Sequence, residues 1–223
     1  MLDTLLKELN TTDKKLIKKK ELQLSKRYFS PLNEKEKLEF MEECFKTGNF
    51  QLFSIATLGV KNTPSLLDES FMDFYEKLLF RYVNTWSKCD QYCYRILNPM
   101  MEHYPHYLDK ALTWAKTNST YSKRASCVCM IHSSTEFSVH VDFDRIQSVC
   151  DVLIGDSHIH VQKGMGWLLK YCYVTYPEKT VCYIKQNINL LSSVCFSYAL
   201  EKMPVELKNS LREYKKQQKC LQK

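Results

Sequence analysis

The sequence predicts an all-α fold, an α-solenoid of stacked antiparallel helix pairs, on three observations. Turn formers are scarce: glycine occurs 5 times and proline 6 times in 223 residues, fewer than sandwiches, barrels or phosphate-cradling loops need. Apolar side chains recur along most of the chain at i, i+3, i+4 and i+7, the period of a helix with one buried face and not the alternation of a half-buried strand. The segments with that period are separated by short polar or proline-bearing joints such as KNTPS, HYP, TNST, TYPE and KMP, which favours helices packed beside their sequence neighbours. With 44% hydrophobic and 13% aromatic residues, the chain has enough apolar surface to offset chain entropy.

Taken in order, Thr11, Thr12 and Asp13 offer an N-cap for a basic, solvated helix running to residue 30, with Leu16, Ile17, Leu22 and Leu24 set among lysines. Asn33 can cap the next helix, where Leu38, Met41 and Phe45 fall at i, i+3 and i+7, and Gly48 supplies its stop. Helical stretches follow over residues 49–60, 68–83, 85–98, 105–117, 119–132, 142–155, 157–175, 178–187, 189–202 and 204–218. No strict internal repeat is visible, so an irregular HEAT-like or ARM-like array is expected ahead of a regular tetratricopeptide one. A plain helical bundle is the alternative. No linker rich in glycine, proline or serine divides the chain, and residues 1–223 read as one domain.

Lysine and arginine total 32 against 25 acidic residues, a net charge of +7. The surplus is uneven: residues 1–120 carry 18 basic and 16 acidic side chains, residues 121–223 carry 14 and 9. An anionic partner is compatible with that balance, though charge alone does not select nucleic acid. The ten cysteines sit within apolar runs such as ASCVCMIH, as small buried hydrophobes do, and the start MLDTLLKELN has no charged segment followed by an apolar one. A reducing, cytoplasmic location and no secretion signal are therefore expected. No CxxC pair occurs, and Cys89 and Cys93 lack partners at zinc spacing, so no metal is expected. No apolar run approaches membrane-spanning length.

Catalytic loop motifs are missing. The sequence holds no GxSxG, HExxH, GK[ST] or GxGxxG, which speaks against serine-triad hydrolysis, nucleotide turnover and dinucleotide redox chemistry. No cofactor is expected. The six histidines, at positions 103, 106, 132, 140, 158 and 160, fall at element ends or in polar stretches, as surface residues do. Two helical constellations stand out. Trp86, Asp90 and Tyr94 are spaced i, i+4, i+8 and share a face; the aromatics could equally be core residues with Asp90 making a surface hydrogen bond. Lys163, Trp167 and Lys170 recur at i, i+4, i+7, with Gly164 and Gly166 permitting close helix packing. Snorkelling lysines at the edge of a core stripe would give the same pattern.

The stretch VQKGMGWLLKYCYVTYPEKTVCYIKQN resembles the characteristic segment of the AlkD-type DNA alkylation repair glycosylases, a HEAT-like repeat family. TWSKCD resembles the family's Trp-x-x-x-Asp helix, and LDKALTWAKTNSTYSKRASCVCMIH its tryptophan-bearing helix followed by an Arg-Ala stretch. The likeness covers roughly residues 70–190, in the family's order; residues 1–65 show no clear copy of its N-terminal aromatic helices. It implies that Trp86 and Trp167 are the cleft tryptophans, Asp90 the catalytic carboxylate and Arg124 the DNA-facing arginine, with Lys123, Lys163 and Lys170 on phosphates.

The resemblance further implies a monomer that acts on double-stranded DNA containing alkylated bases. Such an enzyme hydrolyses the N-glycosidic bond of cationic N3- or N7-alkylpurines, a step of base excision repair, without flipping the base into a pocket. A non-catalytic HEAT-like module that binds nucleic acid or protein is the alternative, and the presence of both tryptophans and the aspartate weighs against it. A scaffold without DNA affinity is the third reading.

Overall fold

The computed structural model describes residues 1–10, 16–132 and 137–221, and among them the fold is an all-α helical repeat of short consecutive helices. Contacts gather into two compact units, Met1–Tyr104 and Pro105–Lys223. No linker composition marks the junction: the tyrosine that ends one unit is bonded to the proline that begins the other.

Unit 1 comprises α1 (Leu2–Asn10), α2 (Ile17–Phe29), α3 (Glu34–Lys46), α4 (Phe50–Lys61), α5 (Met72–Tyr82), α6 (Trp86–Tyr92) and α7 (Asn98–His103). The proposed cap at Thr11, Thr12 and Asp13 lies outside the described residues. Asn33 forms a full capping box, its side chain accepting from the Glu36 N–H at 3.0 Å while Glu36 accepts from the Asn33 N–H at 2.9 Å. Gly48 takes a φ of 72°, a left-handed conformation that glycine reaches without penalty, and ends that turn as expected. Helix α1 is an addition to the sequence reading; Leu5 and Leu9, one turn apart, are buried in it. The core that seats α6 is aromatic: Phe45 and Phe53 stack at 4.1 Å and Tyr92 meets Phe45 edge-on at 6.0 Å. The Tyr92 hydroxyl donates to the Tyr75 carbonyl at 2.8 Å, which satisfies a fully buried phenol.

The helix expected over 85–98 is found, running from Trp86 on to His103, but it is not α-helical throughout. After α6 the chain widens into a π-helical turn, Cys93–Leu97, before α7 begins. Pro99 cannot donate the backbone bond that a straight α-helix would need there, and the widened turn absorbs the mismatch.

Unit 2 comprises α8 (Leu108–Ala115), α9 (Thr120–Val128), a two-residue hairpin of β1 (Ile131–His132) and β2 (Ser138–Val139), then α10 (Phe143–Leu153), α11 (Ile159–Thr175), α12 (Pro177–Gln186), α13 (Ser193–Ala199) and α14 (Val205–Cys220). The helix expected over 119–132 stops at Val128, and Ile131 pairs with Val139 in an antiparallel bridge instead. The β-branched pair suits a pleated edge better than a helix end. Ser192 caps α13 by accepting from the Cys195 N–H at 3.1 Å, which is why that helix starts later than the pattern from 189 suggested. Helix α11 is the spine of the unit. Gly166 sits so close to α13 that a Cβ there would lie 2.7 Å from the Cys195 carbonyl oxygen, and the Phe137 ring near β2 stacks on Tyr171 at 5.2 Å.

Candidate active site

The predicted site residues divide between the two units, and each group has its own geometry. In unit 1, Thr85 caps α6 by accepting from the Lys88 N–H at 3.3 Å, so Trp86 is the first residue of the helix. Its indole is 51% exposed. Asp90 follows one turn later, half-buried, on the same face, and the opposite face buries Lys88, Cys89 and Tyr92. Trp86 is thus no core residue, and the reading that placed it in the core is set aside.

Two cations that sequence reasoning did not single out, Lys88 buried and Arg95 half-buried, hold α6 from behind. Lys88 is 5% exposed; its Nζ donates to the Gly48 carbonyl at 3.2 Å and the Asn84 side-chain oxygen at 3.3 Å, 5.5 Å from the Phe53 ring centroid. Burial lowers its pKa. Arg95, in the π turn, donates to the Ser54 carbonyl and hydroxyl at 3.0 Å each, to the Thr57 hydroxyl at 2.9 Å and to Gln91 at 2.8 Å. Burial lowers the Arg95 pKa, against the pull of the Glu21 charge. Glu21, pushed up by burial, accepts from the Ser54 hydroxyl at 2.7 Å. These bonds fix the rotation of α6 and with it the direction of the Trp86–Asp90 face. A lysine in an otherwise apolar helix face was the only sequence signal for them.

In unit 2, α11 is buried on most of its circumference and leaves one stripe unburied, and that stripe carries Ile159, Lys163, Trp167, Lys170 and Val174. The two glycines serve two neighbours. Gly166 admits α13, whereas a Cβ at Gly164 would lie 3.2 Å from the Cγ of Arg124, so Arg124 crosses α11 at that point. Arg124 is 5% exposed. Its guanidinium lies 5.9 Å from the Trp167 ring centroid and donates to the His160 carbonyl at 2.8 Å. Tyr171 borders the same indole at 6.4 Å.

The three lysines differ. Lys123 is paired with Asp156 at 2.7 Å and Lys170 with Glu201 at 2.6 Å, both partly buried. Burial would raise the Asp156 pKa, but hydrogen bonds from Lys123 and the His158 N–H, with the nearby positive charges, hold it below the usual carboxylate range. Lys163 has no carboxylate among the described residues; its Nζ lies 6.0 Å from the Tyr198 ring centroid. The third tryptophan, Trp114 of α8, is 0% exposed and belongs to the core. Among the described residues no group of three or more His, Cys, Asp or Glu is placed to hold a metal, and no helix is long and apolar enough to cross a membrane.

An all-α helical repeat that carries an exposed indole one turn from a half-buried carboxylate on one helix, and a half-buried indole with lysines on another, defines the class as a helical-repeat protein. Residues 18–203 match the family model described as DNA alkylation repair enzyme, and the chain belongs to that family. The match takes in α2 to α4, where the sequence offers no clear motif, as well as the helices that carry Trp86, Asp90, Arg124 and Trp167. No curated protein matches the chain.

Proposed function

We propose that the protein is a DNA glycosylase that hydrolyses the N-glycosidic bond of cationic alkylated bases, N3- and N7-alkylpurines, in duplex DNA. The observation that carries the reading is the exposed Trp86 with Asp90 one turn away on a firmly anchored helix of a DNA alkylation repair family member. Alkylation places a positive charge on the base and makes it a good leaving group. The C1′–N bond breaks with its electron pair going to the base, which departs neutral, while positive charge develops on the deoxyribose. Water adds at C1′ and loses a proton. The Asp90 carboxylate stabilises the sugar cation and orients the water, as carboxylates do in glycoside hydrolysis. The Trp86 ring meets the cationic nucleotide by cation–π contact, worth roughly 0.5–2 kcal/mol.

Trp167 takes a different role in this reading from the one the resemblance gave it, while Arg124 stays on the DNA backbone. A ring already bordered by a guanidinium is a poor partner for a second cation, and a guanidinium backed by a ring is a good one for a phosphate. We assign the Arg124–Trp167 pair and Lys163 to the DNA backbone. Eight of the ten cysteines are buried, which suits a reducing, cytoplasmic setting. The test is incubation of the purified protein with duplex DNA carrying 7-methylguanine and measurement of released base. Release supports the reading; binding without release at high protein concentration overturns it in favour of a non-catalytic module.

A further inference from the structure

A second cationic surface lies on α14, beyond residues 18–203 that match the family. Lys208, Arg212, Lys215 and Lys219 are spaced by three or four residues and Lys216 adjoins Lys215, so the five share one arc of the helix beside the strip that buries Leu211. The arc begins next to the α11 stripe. Glu201 accepts from Lys170 through its carboxylate at 2.6 Å and from Lys208 through its carbonyl at 3.1 Å. Further along, Arg212, Lys215, Lys216 and Lys219 line a pocket of about 470 Å³ against Ser193 and Phe196 of α13. That volume falls in the ~300–1,000 Å³ range of ligand pockets.

The pocket wall is short of negative charge. Glu213 is its single carboxylate, and it is paired with Lys216 at 2.6 Å. Arg212 reaches the Asn209 side-chain oxygen at 3.4 Å. Lys215 is 9% exposed; its Nζ donates to the Leu191 carbonyl at 2.7 Å and lies 4.4 Å from the Phe196 ring centroid, with no carboxylate partner among the described residues. Burial, and then the charge of Lys219, lower its pKa. A buried ammonium facing a like charge is relieved when an anion enters.

We infer that the pocket between α13 and α14 binds a phosphoryl group, supplied by the sugar–phosphate backbone of DNA away from the lesion. The source rests on the DNA-repair reading above; the phosphoryl chemistry does not. Helix α13 turns Cys195 and Tyr198 toward α11 and Ser193 and Phe196 toward α14, so the pocket stands one helix from Lys163 and Trp167. The basic track through Lys170 and Lys208 joins the two.

The double variant Arg212→Gln/Lys219→Gln tests this, since both side chains are exposed and the melting temperature is expected to stay at the wild-type value. Binding of undamaged duplex is followed by fluorescence anisotropy across a salt series, and binding of inorganic phosphate by phosphorus NMR line broadening. The variant is expected to lose about one unit of the salt slope, near 0.9 for the one phosphate contact that the pocket makes, and to lose phosphate broadening. Undamaged duplex requires no base release, so failure of the glycosylase activity leaves this readout intact. Phosphate binding that the variant loses, with an unchanged DNA slope or no duplex binding by wild type, keeps the phosphoryl site and overturns DNA as its source. No change in either measurement overturns the site.

Discussion

Trp86 and Trp167 sit in similar sequence settings, each with charged residues one helical turn away, yet the structure surrounds them with opposite charge. Trp86 lies exposed on the face that also carries a carboxylate, Asp90, while Lys88 is buried on the opposite face and Arg95, half-buried in the π turn, is bonded to Ser54 and Thr57. Trp167 lies beside a guanidinium, and the carboxylates of its neighbourhood, Asp156 and Glu201, are engaged by Lys123 and Lys170. An indole with a carboxylate favours a cationic ligand. An indole with a guanidinium favours an anionic one. Two tryptophans that pattern alone would treat alike therefore suit ligand groups of opposite charge.

The strongest challenge to this contrast is stability. Trp114, fully buried, marks what a core tryptophan looks like here. Trp114→Ala is expected to destabilise by roughly 3–5 kcal/mol, and Trp86→Ala, on an exposed ring, by less than about 1 kcal/mol, as read from denaturant melts of the two variants. A large loss for Trp86→Ala would make it a structural residue. Next in size is Asp90→Asn, which keeps shape but removes charge: base release in single turnover should fall by roughly 10²–10³ while duplex binding is retained. Wild-type rates would remove Asp90 from the chemistry.

How much of this was legible in the sequence differs between regions. The helices could be read because their apolar period is strong, and Asn33 and Gly48 announce a cap and a stop in their residue types. The positions of Trp86 and Asp90 on one face followed from spacing alone. What surrounds each side chain did not. The partners of Lys123 and Arg124, Asp156 and the His160 carbonyl, come from 33 and 36 residues away, and Lys88 reaches 40 residues back to the Gly48 carbonyl. Helical periodicity holds no information about such pairings. The π turn and the hairpin after α9 were missed for a related reason: each is a local departure forced by Pro99 or by pairing with a strand that the period of one segment cannot show.

The two glycines of α11 sharpen the comparison from the packing side. At Gly166 an added methyl meets the Cys195 backbone at 2.7 Å, whereas at Gly164 it meets the Arg124 side chain at 3.2 Å. Backbone cannot step aside, so Gly166→Ala should destabilise by roughly 1–3 kcal/mol. Gly164→Ala should have the smaller effect on stability but move the guanidinium relative to the indole, visible as a change in Trp167 fluorescence. Equal destabilisation by both would mean that Arg124 is as rigid as the α13 backbone.

The smallest expected effect concerns the lysines, and it separates cations that are neutralised from one that is not. A lysine that contributes to DNA affinity does so by displacing counterions from a phosphate, and each such contact adds about 0.9 to the salt slope. Lys163, with the Tyr198 ring beside it and no carboxylate partner among the described residues, can make that contact at once; Lys123 and Lys170 must first leave Asp156 and Glu201. Lys163→Ala should therefore reduce the slope by about one unit, and Lys123→Ala and Lys170→Ala by clearly less. The converse holds for Asp156→Asn, which leaves Lys123 in place without its counter-charge and should steepen the slope toward one further contact. Salt titrations of undamaged duplex with these four variants give the ranking; equal losses for the three lysines would show that the ion pairs open on binding, and the distinction between paired and unpaired cations would then carry no weight for DNA.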